Sequence, residues 1–302
     1  MTNPPALFSS TPAEGWIPWG ALAPLLTILF ILIPALATEL PVEAAGLIDA
    51  SGNPAGTNGL LAFLLLPFAL TGLLLLGWVR FVERRPLATI GLSSAGAPHI
   101  FVLGLAIGAA TIFAVVAAVW GAGAYDATDY GPALTSSTAM GGIALLLLAF
   151  VVQSGVEEIL FRGWLLSVVA RKFNTLAGVV LTSIVFAFLH FSPGQPWLVT
   201  INILLFSVFA CCWALRAGSI WGVMGWHAGW NWLLATGFKL PVTGLDAGVP
   251  ALLVTLRPTG PVWLTGGAQG PEGSIFCTAF FLTGIAVILW HRTQSKAEAA
   301  LD

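Results

Sequence analysis

Charge is scarce in this sequence. Its 302 residues include 11 Lys or Arg and 13 Asp or Glu, 8% in all, against about 25% in a soluble domain. So few charges cannot coat a water-facing surface. Cysteine is scarce too: three residues, with no metal-ligand spacing, which excludes a disulfide-stapled secreted domain. An excess of basic charge is missing, since the formal net charge is −2, so there is no electrostatic footprint for a nucleic-acid partner. The stretch Met1 to Trp16 has no Lys or Arg. It lacks the basic region of a signal peptide, and the first apolar run is expected to remain as an anchor.

What fills the chain is apolar: 58% of residues are hydrophobic and the mean hydropathy is +0.94. A transmembrane helix needs about 20 such residues in a row. Eight runs are candidates, at 17–38, 58–79, 99–121, 141–168, 174–191, 197–215, 219–238 and 274–290. They are continuous rather than alternating, which argues against a β-barrel. The expected fold is therefore all-α, a single polytopic membrane domain over 1–302 surrounded by lipid, with flexible termini at 1–16 and 293–302. Arg80, Arg84, Arg85, Arg171, Lys172, Arg216, Arg292 and Lys296 all follow even-numbered spans. Glu39, Glu43, Asp49, Asp126 and Asp129 fall in odd loops, and Lys239 and Arg257 are exceptions there. By the positive-inside rule both termini face the cytoplasm.

In such a chain, ionisable or polar side chains inside an apolar run are costly and mark function. Three runs carry them: Glu157, Glu158 and Arg162 in the fourth; His190 at the end of the fifth; His227 and Asn231 in the seventh. Glu158 and Arg162 are four apart and can pair on one helix face, acid before base. Glu157 is turned about 100° away and has no partner on its own helix. His227 and Asn231, also four apart, share a face. Taken singly, each has a structural explanation: an interfacial histidine, an interhelical amide, a solvated carboxylate. Jointly they can do chemistry. A carboxylate and an imidazole can deprotonate a water and then protonate a leaving amine, while a second imidazole and a carboxamide donate to a developing oxyanion. The set also offers two imidazoles and a carboxylate, Glu157, His190 and His227, to a divalent metal such as zinc. A non-catalytic scaffold or immunity protein and a proton-relaying transporter remain as alternatives. The transporter lacks the expected two related halves.

These residues form Glu-Glu-x-x-x-Arg (157–162), Phe-x-x-x-His (Phe186, His190) and His-x-x-x-Asn (227–231) on successive apolar helices. In that order they resemble the CAAX protease and bacteriocin-processing family of Rce1-type endopeptidases and bacterial relatives. The core of the resemblance is 141–235; Arg84 to Leu92 is similar to a less specific family segment. The resemblance implies an eight-helix intramembrane endopeptidase with an internal catalytic cavity, in a bacterial or archaeal cell membrane. It implies Glu157 as the catalytic glutamate, His190 as its partner on water, and His227 and Asn231 as oxyanion donors. Glu158, Arg162 and Phe186 take supporting positions. It implies a membrane-anchored or lipidated peptide as substrate and a metal-free glutamate mechanism, with zinc on Glu157, His190 and His227 as the other reading.

One expectation fits poorly. Counted from Gly141, Glu157 lies about 24 Å along its helix; counted from Asn174, so does His190. In a core about 30 Å thick that puts them at different depths, unless tilt, a kink near Gly155, or a fifth span beginning in the cytoplasm reconciles them.

Overall fold

A computed structural model describes residues 8, 11–49, 53–93 and 96–298, with side chains described to 290. Each of the eight expected spans corresponds to a helix. They are α1 (Ala23–Ala44), α2 (Gly56–Gly77), α3 (Ala97–Gly121), α4 (Ser137–Glu158) continuing through a π-helical segment (Ile159–Leu165) into α5 (Leu166–Lys172), α6 (Thr175–Leu189), α7 (Trp197–Ala217), α8 (Trp221–Gly237) and, after a four-residue α9 (Val262–Thr265), α10 (Ile275–Glu298). Five stretches, Ala23–Ala44, Gly56–Val82, Ala97–Gly121, Ser137–Lys172 and Trp197–Ala217, are long and apolar enough to cross a membrane. The chain is an all-α polytopic integral membrane protein.

The first helix differs from its expected position. It begins six residues later, with Pro24 in its first turn, where a missing N–H costs nothing. Its far end therefore carries Glu39 and Glu43 on its last turns rather than in a loop. Among the expected flexible ends, residues 14–16 donate backbone hydrogen bonds to 82–84. Residues 1–7, 9–10 and 299–302 lie outside the described residues, and 293–298 continue α10.

Helix α8 is the centre of the bundle, buried along almost its whole length. It packs on α3 through small residues on both sides: Gly104 and Gly108 of α3 face Gly225 and Gly229 of α8. A Cβ on Gly108 would stand 2.0 Å from the Trp226 carbonyl oxygen, and one on Gly229 2.1 Å from that of Leu105. Only hydrogen fits there. In lipid, where burying an apolar side chain against another gains little over lipid contact, such close backbone approach drives helix association. Helix α4 lies against the opposite side of α8 and against α2.

The Pro/Gly-rich stretch between α8 and α10 is not wholly irregular. It contains β2 (Val254–Pro258), which pairs antiparallel with β1 (Tyr125–Tyr130), Asp126 opposite Arg257. The Tyr125 hydroxyl donates to the Thr265 carbonyl at 3.0 Å and so ties the ribbon to the loop before α10.

The depth conflict disappears in the hairpin formed by α4–α5 and α6. The helix through Ser137–Lys172 has 36 residues, about 54 Å, well beyond a bilayer core of about 30 Å. Gly141 and Asn174 are therefore poor markers of membrane boundaries. Measured from the turn at Phe173–Asn174 instead, Glu157 and His190 lie equally far back along their two antiparallel helices, about 24 Å each. No kink at Gly155 is required; a fifth span that begins outside the bilayer core, one of the three expected explanations, is enough.

Candidate active site

Helix α4 presents two faces to the interior. Gln153 and Glu157, one turn apart, look into a cavity of about 520 Å³ that also receives His190, His227 and Asn231. All four expected site residues thus share one space. The rest of its wall is mainly apolar, with Phe63, Leu64, Pro67 and Phe68 of α2 on one side and Phe186, Phe206 and Phe281 on the other. Such a lining, with few convergent polar groups, is characteristic of a binding site.

Glu158 faces away from the cavity and is fully buried. Its Oε1 accepts from Arg162 Nη1 at 3.0 Å and from His227 Nδ1 at 2.9 Å. An oxygen already paired with a guanidinium can only accept, so the ring proton on Nδ1 belongs to His227. Nε2 of the same ring then faces Glu157, 3.9 Å from its Oε2. That Glu157 oxygen has no hydrogen-bond partner. A buried carboxylate oxygen without a donor, on the wall of a cavity, is a place for water or a substrate N–H.

Arg162 is also fully buried, its guanidinium carbon 4.3 Å from the centre of the Phe186 ring and 5.3 Å from that of Phe206. The supporting role of Phe186 becomes concrete here. Its ring is stacked between His190 at 4.2 Å and Phe206 at 5.5 Å. His190 follows the last residue of α6, with Nδ1 2.9 Å from the Phe186 carbonyl oxygen. The carbonyl only accepts, so Nδ1 carries the proton and Nε2 of the neutral ring is the acceptor. Asn231 donates Nδ2 to Gln153 Oε1 at 3.2 Å and lies 3.4 Å from Ser154 Oγ.

Among the described residues no three His, Cys, Asp or Glu side chains are grouped to hold an ion. Both Nδ1 atoms are committed as donors, to Glu158 and to the Phe186 carbonyl, which leaves Nε2 as the free nitrogen of each ring.

With this geometry in hand, residues 139–233 match the family model described as Rce1-like, the type II CAAX prenyl endopeptidases. This segment is similar to the Rce1-like family. An uncharacterized Bacillus subtilis (strain 168) protein, YyaK, is 27% identical over 162 residues, 52% of this chain and 50% of its own. The chain thus spans about half the length of that curated relative. No solved structure matches it. The Rce1-like segment holds every motif residue named above, from Glu157 to Asn231.

Several polar residues of the site carried no sequence signal that drew attention. Gln153 could have been found, because it precedes Glu157 by one helical turn. Glu272 could not. It lies in a Gly-rich loop outside every apolar run, yet it lines the cavity. Its Oε1 accepts from Trp230 Nε1 at 2.9 Å, and its Oε2 from the backbone N–H and hydroxyl of Thr243 at 2.8 and 2.9 Å. Asn202 of α7 holds the same loop through the carbonyls of Glu272 and Ser274. Buried charge is also not confined to 157–162. Arg85, expected at the cytoplasmic end of the second span, forms a buried pair with Glu83. Glu83 Oε1 accepts from the indoles of Trp78 at 3.1 Å and Trp164 at 2.7 Å, and the Arg85 guanidinium donates to Ser167 at 3.3 Å. Burial lowers the Arg85 pKa below the ordinary arginine value, and Glu83 opposes that shift. This cluster anchors the segment after α2 to α5 and is separate from the cavity.

Proposed function

We propose that the protein is an intramembrane endopeptidase in which Glu157 activates the water that attacks a peptide carbonyl. The observation that carries this reading is the unpartnered, buried Glu157 oxygen on a cavity wall shared with His190, His227 and Asn231. Water held between Glu157 and the acceptor Nε2 of His190 gives its proton to the carboxylate as its oxygen attacks the carbonyl carbon. The negative charge that develops on the carbonyl oxygen is met by an Nδ2 proton of Asn231; His227, whose Nδ1 donates to Glu158, joins it as a donor only when Nε2 also carries a proton. The proton on Glu157 then passes to the leaving nitrogen as the C–N bond breaks. Glu158 and Arg162 keep His227 in place, and Phe186 supports the His190 ring.

The substrate is a membrane-anchored peptide, lipidated in the CAAX manner or embedded by its own apolar residues. The apolar α2 side of the cavity suits either. The reaction proceeds without a metal, a reading supported by the lack, among the described residues, of three His, Cys, Asp or Glu side chains grouped to hold an ion. Both termini face the cytoplasm, as the loop charges suggest.

Reconstituted protein is to be incubated with lipidated and unlipidated membrane peptides, comparing wild type with Glu157→Ala and His190→Ala. Cleavage by wild type and background levels from both variants is the expected result. Equal cleavage by all three overturns the site. Activity is expected to survive exhaustive chelation; loss that zinc restores would transfer the role to a metal.

A further inference from the structure

Two residues of α4 hold the two polar residues of α8. Glu158 binds His227, and one turn earlier Gln153 binds Asn231. Glu157, between them, is bound by neither. The lower contact is a small closed network. Gln153 Oε1 accepts both from Asn231 Nδ2 at 3.2 Å and from the Ser154 hydroxyl at 3.0 Å, and Ser154 is fully buried. Two donors converging on one oxygen fix which end of the Gln153 amide faces them. That in turn fixes the Asn231 amide, since only its nitrogen can approach an acceptor.

We propose that Gln153 is a positioning residue for Asn231. A carboxamide nitrogen has two protons. The nitrogen donates to Gln153 Oε1 at 3.2 Å and to Ser154 Oγ at 3.4 Å, two acceptors on neighbouring residues that are tied to each other; one proton shared between them leaves the second for the cavity. Without the Gln153 carbonyl, the Asn231 amide can turn about its last bond and offer its oxygen instead. An oxygen at that place repels a developing oxyanion. Gln153 thus acts on the orientation of a donor rather than on the reacting atoms. The chemistry rests on the endopeptidase reading; the pairing itself does not.

The test is a double-mutant cycle with Gln153→Leu, which keeps volume and removes the acceptor, Asn231→Ala, and both together, in proteoliposomes with a membrane-anchored peptide. Gln153→Leu is expected to lower kcat about 10–100-fold, the usual scale for a misplaced catalytic group, with KM within about twofold. In the Asn231→Ala background it is expected to have no further effect, because there is no amide left to orient. Unchanged kcat, or a full second loss on top of Asn231→Ala, overturns the proposal. Thermal melting of the same four proteins in detergent gives a readout free of activity. The bonded pair predicts that the double variant loses less than the sum of the two single losses, and simple additivity overturns the pairing. Should wild type cleave no peptide, the endopeptidase reading fails while the melting cycle still decides whether Gln153 and Asn231 act together.

Discussion

Glu158 does two things through one oxygen. Arg162 and His227 both bind its Oε1 while both charged side chains of the Glu158–Arg162 pair are withdrawn from solvent. Removing one partner of a buried pair leaves the other uncompensated, which costs about 3–5 kcal/mol. Arg162→Met is therefore expected to lower stability by about that much, read from denaturation in detergent. Glu158→Gln retains an acceptor of the same shape but offers a competing N–H to His227. Its expected effect is on turnover, a fall in kcat of about 10²–10³, by analogy with the loss of an oriented donor. If kcat stayed within twofold of wild type, orientation of His227 by Glu158 would be refuted.

At the scale of elements, the α3–α8 seam and the loop before α10 decide where the site residues stand. The seam tolerates no added atom. Gly229→Leu would drive a side chain into the Leu105 carbonyl and is expected to destabilise by about 1–3 kcal/mol or more. Gly141→Ala, in open space on α4, is the control and is expected to be neutral or mildly stabilising. The loop is held by Glu272. Thr243 and Gly244 both have positive φ, 46° and 84°, in a two-residue turn, and the Thr243 N–H and hydroxyl are tied to Glu272. Glu272→Ala is expected to raise amide exchange across 242–245 while leaving α8 protected; unchanged exchange would show that the carboxylate does not retain the turn. The ribbon reports on pH. Burial raises the Tyr125 pKa above the ordinary tyrosine value. The folded state then keeps a proton that the unfolded chain releases near pH 10, so stability is full below that value and declines as pH rises above it. Tyr125→Phe is expected to remove that part of the decline in melts taken between neutral and alkaline pH.

At the scale of the whole molecule, the cavity sits inside a bundle whose outer surface is apolar, with Leu36, Leu73, Val102, Leu148 and Ile184 all exposed along its helices. Under the proposed endopeptidase reading, substrates are expected to be presented from the same bilayer. Membrane-anchored peptides are expected to be cleaved at least about tenfold more efficiently than the same peptides in solution; equal rates would detach the activity from the membrane. Cysteines placed in 122–140 are expected to react with impermeant reagents from outside the cell, and labelling from the cytoplasm alone would reverse the orientation.

Composition and spacing determined a good deal unaided. The scarcity of charge named the membrane, continuous apolar runs located eight helices, and i, i+4 spacing paired Glu158 with Arg162 and set His227 beside Asn231 on one face. These are local properties, and helix geometry carries them directly from sequence. Tertiary structure decided the rest. That Glu158 rather than Glu157 binds His227, that Gln153 holds Asn231 and that Glu272 closes the cavity are contacts between segments 29 to 78 residues apart in sequence. No periodicity reports them. Glu83 and Arg85 lie outside the apolar runs and are nevertheless buried, because two indoles and a hydroxyl from the chain satisfy them inside. Scarcity of charge locates the membrane by itself; which charges are buried depends on partners that only the folded bundle brings within reach.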